Sequence, residues 1–329
     1  MKSGLKTRKC TSIYDLAAIT GFSYGTVSRV LNGRGRTSEA ARTAILTASA
    51  ESGFRPKMRA RKTTVAVLVD LSHSDRHSGY QSSMVAGLID DLSRHEIAVE
   101  LFTNHNVHQL NEGLVDGIIA MPWNNQVREF LGHMRKIPRV LVNHGGLDDC
   151  SVVASDHAQS GRLAAKGFLD AGHQRVAIIL DSDDWGNRQR RDGFTQYYAE
   201  HGLVLDADFC GFLSAQPPYS LLNQLLAKEP TGLFIGAEDY QLELVSILQI
   251  MGIRVPEQLS VVCMENPTIS RFLNPPLTAV HQPLPVIASK AVELLLDKVQ
   301  RKDLSPTTCL IDNTWIPRQS VCAFLNPAP

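Results

Sequence analysis

The sequence predicts two parts of unlike architecture. A small three-helix head built around a helix-turn-helix comes first, and an α/β body of two doubly wound parallel-sheet subdomains follows. Three observations carry this expectation. Residues 12–52 place apolar side chains at helical spacing with no strand pattern; from residue 65 short apolar runs alternate with helical stretches; and charge divides between the same two parts.

The head is legible residue by residue. Ser12 and Asp15 fit the [ST]-x-x-[DE] capping box of a helix start. Ile13, Leu16 and Ala17 then fall at i, i+3 and i+4, one apolar stripe. Gly21 breaks this helix and supplies the turn. Ser23 is placed to cap a second helix whose Val27, Val30 and Leu31 form the matching stripe, leaving Tyr24, Gly25, Ser28 and Arg29 on its outer side. Asn32-Gly33 ends it. A third helix is expected from Thr37 to Ser52, with Ala41, Ala44, Ile45 and Ala48 facing the core and Gly53 as its stop.

Two short amphipathic helices joined by a tight turn are the layout that seats one helix in a DNA major groove. Charge favours this over a generic helical packing unit. Residues 1–62 hold thirteen Lys/Arg against three Asp/Glu, a net of +10, while the remainder carries twenty basic and thirty acidic residues, a net of −10. A whole-chain charge of zero thus conceals a basic head on an acidic body, the electrostatic footprint of duplex binding.

In the body, strand-like runs are Val65–Leu71, Val99–Thr103, Gly117–Met121, Val140–Asn143, Val176–Leu180, Gly232–Ile235 and Ser260–Cys263. Helical stretches fall near 80–95, 124–136, 158–171, 187–201, 218–228, 239–251 and 283–301. Near-continuous apolar strands alternating with helices imply parallel sheets covered on both faces, with right-handed crossovers and a ligand crevice at the strands' carboxyl ends. The pattern pauses around Cys150–Asp156, which suggests the division between subdomains.

At 329 residues and 43% hydrophobic content the chain can bury more than one core. No apolar run approaches the ~18 residues of a membrane span, and the basic N-terminus lacks the apolar stretch of a secretory signal. The six cysteines are scattered, with no C-x-x-C pair, so unpaired thiols in a reducing cytoplasm are expected. His105 and His108 form an H-x-x-H that no neighbouring carboxylate or cysteine joins, so neither a metal nor a cofactor is predicted. Gly21-Phe22-Ser23-Tyr24-Gly25 nominally matches the G-x-S-x-G nucleophile elbow, but that motif needs a strand before its serine, and here a helical pattern precedes it. No phosphate-loop, dinucleotide or H-E-x-x-H motif is present, so no enzyme and no catalytic residue is expected.

Head and body together resemble the LacI/GalR family of bacterial transcription regulators, from Ser12 to Ser320. The head carries T-V-S-R-V-L-N-G (26–33) and G-F-R-P (53–56). The body carries V-D-G-I-I (115–119), D-x-x-x-x-G (156–161), G-H-x-R-V-A (172–177), R-x-x-G-F (190–194), S-V-V (260–262), P-P-L-T-x-V-x-Q-P (275–283) and R-Q-S (318–320). The resemblance implies a homodimer, a repressor on a pseudo-palindromic operator, and a periplasmic-binding-protein-like body that senses a small molecule. The domains expected are a helix-turn-helix DNA-binding domain over 1–55, a shortened basic hinge over 56–63, and an effector-binding and dimerisation domain over 64–329. Within the last, subdomain one covers about 64–152 plus 282–312 and subdomain two about 153–281 plus 313–329. Two rivals are a transport-type sugar-binding protein, which should have a signal peptide and no basic head, and a regulator that has lost its DNA site or its effector response.

By the same resemblance Tyr24, Gly25 and Arg29 occupy base-reading positions, Arg29 being suited to a bidentate contact with guanine worth ~1–3 kcal/mol of discrimination. Gly25 departs from the family pattern, since it has no side chain with which to read. Ser12, Ser23, Thr26, Ser28, Asn32 and Arg34 suit phosphate contacts, which set register. The hinge reaches the first strand about eight residues early, without the family's minor-groove leucine. Arg59 and Arg61 are therefore expected to enter the minor groove, or to form a plain basic tether, with Met58 as a possible wedge. Effector positions fall on Asn143, Asp156, Arg190, Glu238 and Glu265, with Trp185 and Arg188 nearby. Three carboxylates facing one or two arginines suggest a neutral polyol, a sugar or a cation, with Trp185 as an apolar face for a sugar ring.

Overall fold

The computed structural model describes residues 12–31, 37–52, 63–71, 79–111, 115–122 and 125–324. The chain divides into two units at Thr63/Thr64.

The first unit contains α1 (Ile13–Thr20), α2 (Tyr24–Leu31) and α3 (Glu39–Glu51). The capping box forms: the Asp15 amide donates to Ser12 Oγ at 3.1 Å, and the Ser12 amide donates to Asp15 Oδ2 at 3.0 Å. Gly21 closes α1 at φ 70°, a left-handed conformation that glycine adopts without a Cβ clash, and its amide donates to Ala17 O at 2.9 Å. Leu16, Val27, Val30 and Ile45 make the core, flanked by Ile13, Ala17, Phe22, Leu31 and Ala48. One expected core residue is corrected: Ala44 is exposed, because the buried positions of α3 run Ala41, Ile45 and Ser49 with Ala48 half-buried, and Ala44 lies on the flank of that stripe.

The second unit holds two six-stranded sheets. The first uses β1 (Thr64–Val69), β2 (Ala98–Thr103), β3 (Gly117–Met121), β4 (Arg139–Val142), β5 (Ser151–Ser155) and β11 (Thr308–Ile311), in the order β11-β5-β4-β3-β1-β2, all parallel. The second uses β6 (Val176–Leu180), β7 (Cys210–Phe212), β8 (Gly232–Ile235), β9 (Ser260–Met264), β10 (Thr278–His281) and β12 (Thr314–Ile316), in the order β12-β10-β9-β8-β6-β7. Here β12 is antiparallel to β10, so this sheet is parallel except at one edge.

The helices cover both faces. Alternate residues of β1 serve opposite cores. Val65, Val67 and Val69 pack with α4 (Gly79–Arg94) and α10 (Leu284–Arg301), while Ala66 and Leu68 pack with α5 (Asn125–His133). In the second sheet, Ala177 and Ile179 meet α8 (Pro218–Leu226) and α9 (Gln241–Ile250); Val176, Ile178 and Leu180 meet α6 (His157–Asp170) and α7 (Trp185–Glu200). Burial on both faces explains why these strands are continuously apolar rather than alternating.

The division between subdomains differs from the sequence expectation. Residues 150–156 are not a pause: Ser151–Ser155 is a buried strand of the first sheet, so a cut at 152/153 would split it. The chain instead crosses between sheets at Ser155–Asp156, at His281–Leu284 and at Ile311–Thr314.

Candidate functional sites: a nucleic-acid-reading face and an inter-sheet crevice

On the head, the outer side of α2 is free of its own core. Tyr24 is 47% exposed, and Gly25 and Arg29 are exposed. Arg29 Nε donates to the Gly25 carbonyl at 3.0 Å, which steadies the guanidinium along the helix. A Cβ on Gly25 would meet nothing within 4 Å, so the gap beside Tyr24 and Arg29 is open. Tyr14, on α1 and 70% exposed, stacks on Tyr24 with ring centroids 4.8 Å apart and planes 20° from parallel. The sequence reading missed Tyr14; its signal was an aromatic residue off the α1 stripe.

The hydroxyls assigned to phosphate contact also have local duties. Ser12 Oγ serves the α1 cap, and Ser23 Oγ lies 2.9 Å from Thr26 Oγ1 while accepting from the Thr26 amide at 3.2 Å. Ser28 is half-buried on α2. Asn32, Arg34, Met58, Arg59 and Arg61, with the hinge over 56–62, lie outside the described residues.

In the body, two glycines set the geometry of the crevice. A Cβ at Gly161 would come within 1.9 Å of the Arg190 carbonyl, and one at Gly193 within 2.1 Å of the Ala158 carbonyl. Thus D-x-x-x-x-G and R-x-x-G-F are the two sides of one seam, where α6 and α7 touch backbone to backbone. That seam fixes Asp156, His157, Trp185 and Arg190 relative to one another.

Polar side chains link the crossings. Asn143, at φ 50° just after β4, accepts from the Ser155 amide at 2.7 Å and donates to Gln282 Oε1 at 3.5 Å. Gln282 Nε2 donates to Glu238 Oε2 at 3.1 Å, carrying the chain of contacts to the second sheet. Asn313 donates to the Asp156 carbonyl at 2.6 Å and accepts from Ser155 Oγ at 2.8 Å. Gln282 and Asn313 were not anticipated from sequence, nor was Tyr80, which is buried at the start of α4 near Asn143, Glu238 and Arg190.

The seven expected effector residues divide in their placement. Arg190, Glu238 and Asn143 gather with Tyr80, and Arg190 Nη1 donates to Asn187 Oδ1 at 2.9 Å while its Nε is buried without a hydrogen-bond partner. Burial lowers the Arg190 pKa, opposed by the charges of Glu238, Asp184 and Asp181. Burial, reinforced by Asp239, pushes Glu238 up to about 8 against the pull of Arg190 and Gln282. Trp185 borders the group but is wedged between sheets: a Cβ on Gly145 would sit 2.6 Å from its ring, and its centroid lies 5.5 Å from His157 and 6.4 Å from His144. His157, 4% exposed, reaches no partner at hydrogen-bond geometry with either ring nitrogen. Burial, then the Arg190 charge, holds it well below the usual histidine range, opposed by the Asn143 backbone.

The other three are engaged elsewhere. Asp156 caps α6, accepting from the Gln159 amide at 2.8 Å. Glu265, 7% exposed, is held by both arms of Arg318 at 2.7 and 2.9 Å. Arg188 is exposed and turns to Asp183, 3.6 Å from its carboxylate. The picture of three carboxylates confronting a ligand is therefore corrected: Asp156 and Glu265 already have partners, and Glu238 holds its proton at neutral pH. Among the described residues no group of three His, Cys, Asp or Glu side chains could hold a metal ion.

Comparison with known proteins finds matches to both parts of the chain. Residues 12–57 match the family "Bacterial regulatory proteins, lacI family". The head thus resembles the DNA-binding segment of that family. Residues 165–321 match a periplasmic binding protein-like domain. Similar proteins include the HTH-type transcriptional repressor PurR of Pasteurella multocida, 27% identical over 309 residues that cover 88% of this chain and 92% of the relative. PurR of Aliivibrio fischeri is 27% identical over 320 residues, covering 89% and 93%. Among solved structures, the lac repressor dimer bound to operator and the anti-inducer ONPF superposes with a TM-score of 0.81 at 21% identity, covering 96% of this chain and 100% of that one. The complex of the transcriptional regulator CelR with cellobiose superposes at 0.71 with 24% identity, covering 94% and 100%. Head and body thus each match a domain found in such regulators; among the described residues no helix is long and apolar enough to cross a membrane.

Proposed function

We propose that this protein is a cytoplasmic transcriptional repressor that grips a pseudo-palindromic operator as a homodimer and releases or tightens its hold when a small, hydroxylated effector enters the inter-sheet crevice. The observation that carries the reading is the exposed α2 face, with Tyr24 and Arg29 turned outward from the core of the head. Relatives named as repressors and a lac repressor dimer solved on operator support it. Neighbours bound to cellobiose and ribose support a hydroxylated ligand.

Base reading falls to Tyr24 and Arg29, with Gly25 leaving one position unread. Ser12, Ser23, Thr26, Ser28, Asn32 and Arg34 set register on phosphates, while Arg59 and Arg61 reach into the minor groove. The domain scheme is the one expected from sequence, with the inner boundary moved to Ser155/Asp156. Coupling follows linkage: the effector shifts operator affinity only by its differential affinity for two arrangements of the sheets.

The test is selection of bound fragments from the source genome, then anisotropy titrations of the recovered duplex at several salt concentrations. Affinity falling with salt along a steep log–log slope is expected. Absence of salt-sensitive binding to any fragment, with or without metabolite extract, sinks the reading. Sedimentation showing only monomers on operator removes the dimer.

A further inference from the structure

We propose that the gap at Gly25 is a specificity element: it seats the methyl group of a thymine stacked beside the guanine that Arg29 reads. This rests on the DNA-reading face proposed above and names a base for the position that no hydrogen-bonding side chain serves. Gly25 stands in the first turn of α2, the part of a recognition helix that meets base edges. A Cβ there would have nothing within 4 Å, so the turn carries an open notch rather than a packed glycine.

The walls of the notch are held in place and largely apolar. Arg29 lies one turn on from Gly25, and its side chain runs back along the helix until Nε donates to the Gly25 carbonyl at 3.0 Å. Its methylenes thereby flank the notch. That hydrogen bond does not use the Nη1/Nη2 edge, which suits the O6 and N7 acceptors of guanine. Tyr24 borders the notch on the other side. At 47% exposure its ring would swing freely, but Tyr14 stacks on it with centroids 4.8 Å apart and planes 20° from parallel. Aromatic pairs at such spacing attract beyond the area they bury, so Tyr14 is a positioning residue for Tyr24.

Base chemistry selects the occupant. In the major groove adenine and cytosine present amino groups, and guanine presents O6 and N7. Each of these would give up water at the notch and find no partner on a glycine. Thymine alone presents a methyl group there. Stacked bases rise about 3.4 Å per step, so a thymine next to the guanine lies within the span of the same helical turn.

The experiment titrates the full chain with its selected operator duplex by anisotropy, replacing each thymine in turn by uracil, which deletes the methyl and nothing else. The guanine read by Arg29 is located in parallel: its 7-deaza analogue weakens binding by the unsubstituted protein but not by Arg29→Gln. The expected result is a thymine in each half-site, next to that guanine, whose uracil form binds about fourfold more weakly, the worth of a buried methyl. Replacement in both half-sites should cost about sixteenfold, since distant sites add. Gly25→Gln fills the notch and Tyr14→Ala releases Tyr24, so each should bring the thymine-to-uracil ratio near unity. Tyr14→Phe keeps the stack and should keep the ratio. Because the ratio compares two duplexes on one protein, a general loss of affinity or stability leaves it unmoved. Uracil tolerated at every position overturns the proposal and leaves the DNA-binding reading intact. So does a sensitive thymine away from the Arg29 guanine, or a full ratio in Gly25→Gln. An unmoved ratio in Tyr14→Ala overturns the positioning role. Absence of any specifically bound duplex sinks the DNA-binding reading itself, and the notch with it.

Discussion

Replacing Gly161 by alanine should destabilise the body although alanine is the better helix former. The added methyl would sit 1.9 Å from the Arg190 carbonyl, 2.7 Å from the Phe194 amide and 2.9 Å from the Arg190 carbonyl carbon. Ordinary contact begins near 3.4 Å, so α6 and α7 must part by roughly 1.5 Å. The obstacle is backbone in a neighbouring helix, so no rotamer change relieves it. Overpacking of this kind costs about 1–3 kcal/mol, and a backbone obstacle belongs at the top of that range. The helical preference for alanine returns about 1 kcal/mol, leaving a net loss of about 2 kcal/mol. Urea denaturation of the full chain, followed by far-UV ellipticity and by tryptophan fluorescence, should show a lower midpoint with an unchanged slope. Because α7 carries Arg190 and Trp185, effector response should weaken in the same variant. Gly193→Ala strikes the same seam from the other side, so the double variant should cost less than the sum of the singles once the helices have separated. An unchanged or raised midpoint for Gly161→Ala would refute the reasoning.

Gly25→Ala should do the reverse: with nothing within 4 Å of its Cβ, it should stabilise the head by about 0.8–1 kcal/mol, and thermal unfolding followed by helical ellipticity checks this. Gly25→Gln fills the unread position, and fragment selection should then show a new base preference beside the Arg29 contact, Gln being suited to adenine. Glu265→Gln should cost about 3 kcal/mol by removing the charge that answers the half-buried Arg318 guanidinium, whereas Glu265→Leu with Arg318→Met should recover most of it in the same denaturation assay. Glu238 keeps its proton up to about 8 in the fold but loses it near the ordinary 4.5 when unfolded. Its contribution is therefore greatest at acid pH and drains away as pH climbs from about 4.5 to about 8, at no more than ~1.4 kcal/mol per pH unit. Arg190 on α7, Asp239 beside it, Gln282 from the crossing and Tyr80 on α4 face the group, and Glu238→Gln should flatten the midpoint-against-pH curve over that interval.

Most strands that the sequence revealed are buried on both faces, such as V-A-V-L-V and V-A-I-I-L, whose apolar runs need no partner to be recognised; Val99–Thr103, largely unburied, is the exception. The strands that escaped it have a different origin. Cys210–Phe212 and Thr314–Ile316 are three residues long, and Thr308–Ile311 is an edge with two exposed positions. Such segments become strands because a neighbour offers hydrogen bonds, not because of their own pattern. Ser151–Ser155 was hidden for another reason: its three apolar residues sit between serines, and it pairs on one side with β4 and on the other with β11, more than 150 residues on.

The same contrast separates the two candidate sites. The reading face of the head is a local object: a cap at Ser12, a turn at Gly21 and eight residues of helix decide which side chains face out, and all lie within twenty residues. Sequence alone therefore determined it, along with the charge imbalance that draws it to DNA. The crevice is assembled from distant segments. Whether Glu265 was available depended on Arg318, fifty-three residues on, and Glu238 met Gln282 only because three crossings bring the sheets together. Residue type names a carboxylate, but its charge and its freedom come from desolvation and from partners brought close in space. Tertiary structure thus gave two of the three carboxylates expected in the pocket partners of their own, Gln159 for Asp156 and Arg318 for Glu265.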